Sequence, residues 1–589
     1  MNPEAFYTEQ QQFFQTAYDQ LKKQSLQMSM LRLAVFALTL VGIYFTYADP
    51  FTAGFIFVLG AVIFIILVSK HSDLIKKRDI TLHKLEINQT ELSALNGTFY
   101  SEDHGTDFTN GAHEFSHDID LFGEYSFFFY LNRTVTLEGR SKLAELITSN
   151  KINAVKEKQE VVQELSEKVK WRQHFSALAS LVKVDDPAVH VSDYITKYQP
   201  IFSKKTRRIP LLFSLASLIV IGLTIFQVIG FSLLTAWFFL GLGIAGSFVK
   251  RTQKIYNESG KAKNTFEQYY PLLQQIEEEE FTGKRLQSKQ EIIQDKSEKA
   301  SQIFKDFARI LNTFDQRNNV FVAFLGNAFF LWDLRNACRV ERWIETHKAV
   351  VPQLFQVISF FDAQNSLANF SFNHPNYVFP EILIDENVVI KAEDLGHPLL
   401  NAEDRVDNNF NIEQGKFFIV TGANMAGKST FLRTVGLSLV MANCGLPVCA
   451  SSFQYKPIKL ITSMRTSDSL AQNESYFYAE LKRLKYIIDL MKNSEYFIIL
   501  DEILKGTNSK DKAAGSMKFV EKLVSFNSTG IIATHDISLC DLDSEYSEIQ
   551  NYFFEAEIRD DELYFDYKLK NGVCKNMNAS FLLKNMKII

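Results

Sequence analysis

The stretch from Pro210 to Val249, "PLLFSLASLIVIGLTIFQVIGFSLLTAWFFLGLGIAGSFV", carries no charged residue over 40 positions. As one helix it would be about 60 Å long, twice the roughly 30 Å of a bilayer's hydrocarbon core. Two spans with a tight turn near Gln227–Ser232 fit that length and one span does not. A second block repeats the pattern. From Leu33 to Ser69 the only formal charge is Asp49, and the apolar runs "LAVFALTLVGIYFTY" and "FTAGFIFVLGAVIFIILVS" flank an Asp49-Pro50 turn. Both blocks read as transmembrane helical hairpins, giving four transmembrane helices in a lipid bilayer. The first run starts too late, and continues too far, for a cleaved leader.

The flanks set the orientation. Lys22, Lys23 and Arg32 precede the first hairpin, and Lys70, Lys76, Lys77 and Arg78 follow it. Lys204, Lys205, Arg207 and Arg208 precede the second, and Lys250, Arg251 and Lys254 follow it. Neither turn holds Lys or Arg. The positive-inside rule therefore makes this an integral membrane protein with both termini and its soluble mass in the cytoplasm. At 589 residues the chain is too long for one hydrophobic core, so several domains are expected. A net charge of −5 lacks the global basic footprint of an extended nucleic-acid surface. The five cysteines (Cys338, Cys444, Cys449, Cys540, Cys574) are scattered without CxxC spacing and read as reduced thiols, with Cys444 and Cys449 as small core residues.

"TGANMAGKSTFLRT" (421–434) matches the phosphate-loop pattern G-x-x-x-x-G-K-[ST] through Gly422, Gly427, Lys428 and Ser429. "KFFIV" before it has a buried-strand pattern, and "TFLRTVGLSLVMA" after it is helical in period. In such a loop, backbone N–H groups from Gly422, Ala423, Asn424, Met425, Ala426, Gly427, Lys428, Ser429 and Thr430 surround the phosphates of ATP, aided by the helix N-terminus. Lys428 is expected to reach the β- and γ-phosphates and Ser429 to hold Mg²⁺. "YFIILDEI" (496–503) is a buried strand delivering Asp501 and Glu502, one to coordinate Mg²⁺ and the other to orient and deprotonate the attacking water. "GIIATHDISL" repeats the design and places His535 to sense the γ-phosphate. These residues point to binding and hydrolysis of ATP.

The same residues resemble the ATPase domain of the MutS family of DNA mismatch-recognition proteins. "TGANMAGKSTFLRT" is similar to that family's phosphate loop, including the Asn424-Met425 pair. "DEILKGTNSKD" (501–511) resembles its Asp-Glu strand and following loop, and "DLGHPLL" (394–400) its opening His-Pro segment. "SLAQNESYFYAEL" (469–481) resembles the segment in which a Ser, here Ser475, reaches across a dimer to the partner's γ-phosphate. Upstream, "DLFGEYSFFFYLNRTVTLEGRSKLAELI" (120–147) and "SFFDAQNSLANF" (359–370) resemble the start and end of the family's helical core. The resemblance implies an α/β P-loop NTPase domain of the ABC/MutS type with a mixed, mostly parallel sheet, preceded by an all-helical core. It also implies a homodimer with composite ATP sites.

The chain departs from the family pattern in places. Ala423 and Ala426 stand where the family has Pro and Gly, and Leu504-Lys505 where it has Gly-Arg. Phe-x-Glu triplets, the family's mismatch-reading element, occur at Phe122–Glu124, Phe379–Glu381, Phe519–Glu521 and Phe553–Glu555, none in an N-terminal α/β domain. The first hairpin stands where the mismatch-reading domain would begin, and the second where the family extends a DNA clamp. Two functions stay open: an ATPase acting on DNA in repair or recombination, or an ATP-driven machine acting on a membrane or membrane-protein partner without mismatch recognition.

The expected organisation is an N-terminal cytoplasmic segment (1–30), first hairpin (31–69), cytoplasmic linker (70–115), the opening segment of the helical core (116–208), second hairpin (209–249), the lever with the remainder of the helical core (250–385), and ATPase domain (386–589). Residues 250–310 read as polar helix, with Glu277–Glu280 as a solvated face. The tail from Asp560 reads as two short strands and a helix.

Overall fold

The computed structural model describes residues 2–98, 103–184, 187–294, 298–384, 387–465, 476–559 and 562–574. Among these, four helices are long and apolar enough to cross a membrane: Pro3–Thr46, Pro50–Leu95, Thr206–Ile225 (with its 3₁₀ entry) and Phe231–Gly260. The first pair is much longer than the expected 31–69 hairpin. Residues 4–30 and 70–95 contain neither Gly nor Pro and are rich in Leu, Lys, Glu and Gln, so nothing stops the helix at the edge of the apolar block. The expected N-terminal segment, and the expected linker as far as Leu95, are therefore extensions of the hairpin helices. Asp49 accepts a hydrogen bond from Phe51 N at 3.1 Å, capping the second helix, with Pro50 in its first turn. The second hairpin turns over 226–230, slightly earlier than expected, with Gln227 in the left-handed region (φ 58°).

The ends of the first pair dock on the helical core. Tyr7 is fully buried and donates to Asn373 Oδ1 at 2.8 Å. Buried Glu91 accepts from Arg133 Nε at 2.6 Å and from Asn373 Nδ2 at 2.8 Å. Residues 250–310 are not one polar helix. After Phe231–Gly260 ends, the helices Lys263–Glu278, Lys284–Ile293 and Ala300–Asp315 follow, and their apolar faces close a core. Phe266 packs against Phe304 and Phe307 at 4.6 and 4.7 Å, and Phe307 stacks on Trp343 at 3.9 Å. The acidic run is partly structural. Glu277 accepts from Ser301 N at 2.8 Å at the start of the Ala300–Asp315 helix, and Glu279 pairs with Lys168 at 2.6 Å.

The two upstream stretches that resemble a helical core meet in space. Thr136 caps the helix Leu137–Thr148, and Asp362, on the helix Val351–Asn373, accepts from Thr136 Oγ1 at 2.6 Å and Thr136 N at 2.8 Å. A Cβ on Gly139 would lie 2.0 Å from Asp362 Oδ2, so only glycine fits this joint. Burial pushes the Asp362 carboxyl up to about 7 despite those hydrogen bonds.

The described C-terminal residues form ten strands: β1 (Glu381–Ile382), β2 (Val388–Leu395), β3 (Asn408–Glu413), β4 (Phe417–Gly422), β5 (Ser452–Tyr455), β6 (Lys459–Ser463), β7 (Tyr496–Asp501), β8 (Thr529–Ala533), β9 (Ile549–Arg559) and β10 (Glu562–Asn571). They make two sheets rather than one. The order β10-β9-β4-β8-β7-β6 is parallel except for β10, which runs antiparallel to β9, and β1-β5-β2-β3 is a smaller mixed sheet. Because β1 pairs with β5, and Val378 bridges to Val448, this unit starts before residue 386. In the tail, Glu562–Asn571 is one strand whose register breaks between Phe565 and Leu569, with Tyr567 left-handed (φ 52°). The helix expected after it lies outside the described residues. All five cysteines are buried.

Candidate active site

Three buried strands set the geometry. In the parallel register Val420 of β4 and Asp501 of β7 both pair with Ala533 of β8, so the three carboxyl ends come out together. The loop after β4, the Asp501-Glu502 pair and Thr534-His535 therefore share one edge. Gly422 has φ 152° and faces Phe554 O so closely that a Cβ would sit 2.7 Å away, and Gly427 has φ 101°. These two positions require glycine. Between them Met425 is left-handed (φ 67°) and its side chain is 75% exposed, projecting away from the loop.

Lys428 opens the helix Lys428–Cys444 and is buried. Its ammonium donates to Gly422 O at 2.7 Å and Ala423 O at 2.9 Å and lies 3.4 Å from His535 Nε2. Burial draws its pKa below the usual lysine value, against the pull of Asp501 and Glu502. Ser429 Oγ donates to Asp501 Oδ2 at 2.7 Å. Two hard oxygens at the foot of a phosphate loop suit Mg²⁺, which keeps most of its remaining positions for water and phosphate.

Glu502 is itself left-handed (φ 51°), held by its N–H donating to Ala533 O at 2.9 Å. Its carboxylate lies 3.2 Å from His535 Nε2 and 4.0 Å from Lys505 Nζ. Burial, then the nearby Lys428 charge, lowers the His535 pKa below 6.5. Ala423, Asn424, Met425, Ala426, Gly427, Lys428, Ser429, Thr430, Asp501, Glu502 and His535 all line one cleft of about 640 Å³. Ser475 lies outside the described residues.

Other cleft residues escaped the sequence reading. Tyr567 arrives on the irregular part of β10, close enough that a Cβ on Gly427 would meet its ring at 3.1 Å. Nothing in local spacing marks a residue 140 positions downstream. His397, from the His-Pro segment, also lines the cleft, and burial takes its pKa down to about 4. Glu480, on the helix Tyr476–Met491, is buried and accepts from Leu504 N at 2.5 Å and Lys505 N at 3.1 Å, fixing the loop after β7. Leu504, where the resembling family has Gly, adopts φ 60° there.

Residues 418–586 match the family model of MutS domain V. The chain is 31% identical over 252 residues to the MutS protein homolog 4 of Homo sapiens, which is 41% of this chain and 26% of that protein. It is 32% identical over 191 residues to the DNA mismatch repair protein MSH4 of Arabidopsis thaliana, covering 32% and 24% of the two chains. With the DNA mismatch repair protein MutS of Thermotoga neapolitana it shares 28% over 244 residues, 41% of this chain and 29% of that one. The chain thus spans about a quarter of the length of the curated relatives it matches. Its C-terminal region carries a P-loop ATPase domain of the MutS type.

Proposed function

We propose that this is a membrane-anchored ATPase of the MutS type, with four transmembrane helices, both termini in the cytoplasm, and an ATP cycle that moves its hairpins against the bilayer or a membrane partner. One observation carries the reading. The phosphate-loop helix packs on the helical core to which the first hairpin is docked. Lys158 Nζ donates to Asn443 O at 2.7 Å, and Cys444 Sγ donates to Leu146 O at 3.3 Å. From there Thr136 joins Asp362 on the helix Val351–Asn373, and Asn373 at the end of that helix meets Glu91 and Tyr7 of the first hairpin.

In this reading Lys428 and the loop N–H groups grip the β- and γ-phosphates, and Ser429 and Asp501 hold Mg²⁺. Bound there, the metal neutralises charge on the phosphate oxygens. Glu502 accepts the proton of the attacking water, and its left-handed backbone fixes where the carboxylate points. His535, between Glu502 and Lys428, senses the terminal phosphate. Ser475 of each protomer completes the site of the other, so the working unit is a homodimer. The two hairpins take the places of a mismatch-reading domain and a DNA clamp.

A second reading, action on DNA in repair or recombination, is favoured by the matched relatives that are named DNA mismatch repair proteins. The deciding experiment is ATP turnover in nanodiscs with and without duplex, mismatched and branched DNA, beside DNA binding across a salt series, because phosphate contacts weaken steeply with salt. Turnover that ignores DNA and responds to lipid composition supports the membrane machine. Stimulation by DNA with salt-sensitive binding moves the protein to the second reading.

A further inference from the structure

Between Arg317 and Asp333 the chain makes an apolar excursion that the four long helices do not include. "NVFVAFLGNAFFLW" (319–332) holds no charge, yet at about 21 Å as helix it is too short to cross a bilayer. Its ends meet. Arg317 Nη2 pairs with Asp333 Oδ2 at 3.0 Å, both side chains largely buried, and Trp332 Nε1 donates to Thr313 O at 3.2 Å. The segment is a closed loop on that ionic base.

Residues 320–330 are helical, which pairs backbone N–H and C=O groups within the segment as a lipid environment demands. Val322–Gly326 forms a π-helical turn, which widens the hydrogen-bond pattern. Asn327, on the next helical turn, donates to Ala323 O at 2.9 Å and accepts from Asp333 N at 3.0 Å. The one polar side chain within the turns is thus spent on the backbone.

One face of the loop packs on the second hairpin. Gly241 approaches Ala328 so closely that a Cβ would lie 1.9 Å from Ala328 O, Phe238 meets Phe329 edge-on at 5.8 Å, and Ser214 Oγ lies 3.4 Å from Phe330 O. These contacts give a depth. Ser214 is six residues beyond Arg208 and Gly241 nine residues before Lys250. Phe238, which meets Phe329, is twelve residues before Lys250, so the loop reaches about 9 to 18 Å above the basic collars, around the roughly 15 Å of a half-bilayer and well short of its full thickness. The opposite face is open: Phe321 is 75% exposed, Val320 68%, Phe324 57% and Leu325 50%. The hairpin beside it also exposes the apolar side chains Leu211, Leu212 and Phe239.

We propose that residues 319–332 form a re-entrant loop dipping into the cytoplasmic leaflet, with Val320, Phe321, Phe324 and Leu325 seated among lipid acyl chains. The inference rests on the hairpins crossing the membrane. It adds a third membrane element, one that leads straight into the helices Ala300–Asp315 and Trp332–His347 of the core.

The test uses the full chain in phosphatidylcholine–phosphatidylglycerol nanodiscs, whose native cysteines are buried. Single cysteines are introduced by Phe324→Cys, by Leu218→Cys in the hairpin, and by Ser288→Cys on an exposed helix face. Modification by a charged, membrane-impermeant maleimide requires the thiolate, which hydrocarbon excludes, so Phe324→Cys should react at least about tenfold more slowly than Ser288→Cys, as Leu218→Cys should. A fluorophore attached at position 324 before reconstitution should be quenched by acyl-brominated lipids. Fast reaction at 324 with protection at 218 overturns the loop and leaves the hairpins in the membrane; fast reaction at both overturns the membrane reading as well. Protection at 324 without lipid quenching means a protein occupant and likewise overturns the proposal.

Discussion

The first hairpin stands on a stalk, and the second sits flush with the core. Beyond its apolar block each helix of the first continues for more than 20 residues, over about 30 Å, and its far end is fastened by the buried polar cluster of Tyr7, Glu91, Arg133 and Asn373, with Asn88 accepting from Gln173 at 3.0 Å beside it. The second is fastened along its length at once. Arg207 at its entry pairs with Glu341 at 3.0 Å and with Glu345 at 2.5 Å, and the helix Phe231–Gly260 runs into the apolar core with Ile255 fully buried. A stalk fastened only at its far end can swing when that end moves, whereas a flush element must move with the whole core. The clamp's Asn373 also lies five residues before Val378, which bridges to Val448 of the C-terminal unit. Single substitutions should therefore cost most at the clamp and least in the distributed joint.

The largest effect is expected for Arg133→Met. It leaves the fully buried Glu91 carboxylate without its cation and should cost about 3–5 kcal/mol in detergent unfolding, with much of the loss recovered by adding Glu91→Leu. A cost below about 1 kcal/mol for the single change would mean the clamp carries no load. Next comes pH. His374 adjoins the clamp, its Nε2 3.3 Å from Tyr130 Oη, and burial takes its pKa from 6.5 to about 4. The unfolded chain binds a proton there that the folded chain refuses. Stability is thus complete above pH 6.5 and should fall by up to about 3 kcal/mol as pH drops to 4. Glu91 acts in the same direction at lower pH: burial raises its pKa, but Arg133 together with the hydrogen bonds of Asn373 and Asn369 more than offsets that, so its contribution is lost as pH falls below about 4.5. Replacing His374 by Gln should flatten the upper portion of that profile.

At the second hairpin, Arg207→Met should cost less, about 1.5–3 kcal/mol, because Glu341 keeps Tyr198 Oη, Ile201 N and Phe202 N as donors. Equal losses for Arg133→Met and Arg207→Met would erase the distinction between a carboxylate held chiefly by one cation and one shared among several donors. The smallest effect is expected for Ile255→Val, about 1 kcal/mol by the same unfolding measurement and independent of pH, since only a methylene is lost from a closed core.

Much of the site was legible in the chain. Gly422, Gly427, Lys428, Ser429, Asp501, Glu502 and His535 follow strands buried on both faces, and in a parallel sheet such strands must end at one edge, so local motifs sufficed to bring distant residues together. The Thr136–Asp362 joint was within reach too, since its halves lie in the two stretches that resemble one helical core. What stayed hidden was non-local or too short. Tyr567 and Glu480 act through the loops they touch, which no spacing encodes. The stalk helices were missed because a charged, Gly-free stretch after an apolar block looks like a linker unless the absence of any helix stop is weighed. Residues 319–332 fall below the length that marks a span, and only the meeting of Arg317 with Asp333 shows that they fold back.

The most direct single measurement is Mg²⁺-dependent ATP turnover by the nanodisc-reconstituted chain beside Glu502→Gln, with ATP binding followed in parallel. If Glu502 is the base of a working ATPase on this membrane scaffold, the substitution should lower turnover by about two to four orders of magnitude while ATP is still bound. Equal turnover in the two proteins, or none in the unaltered chain, would contradict it.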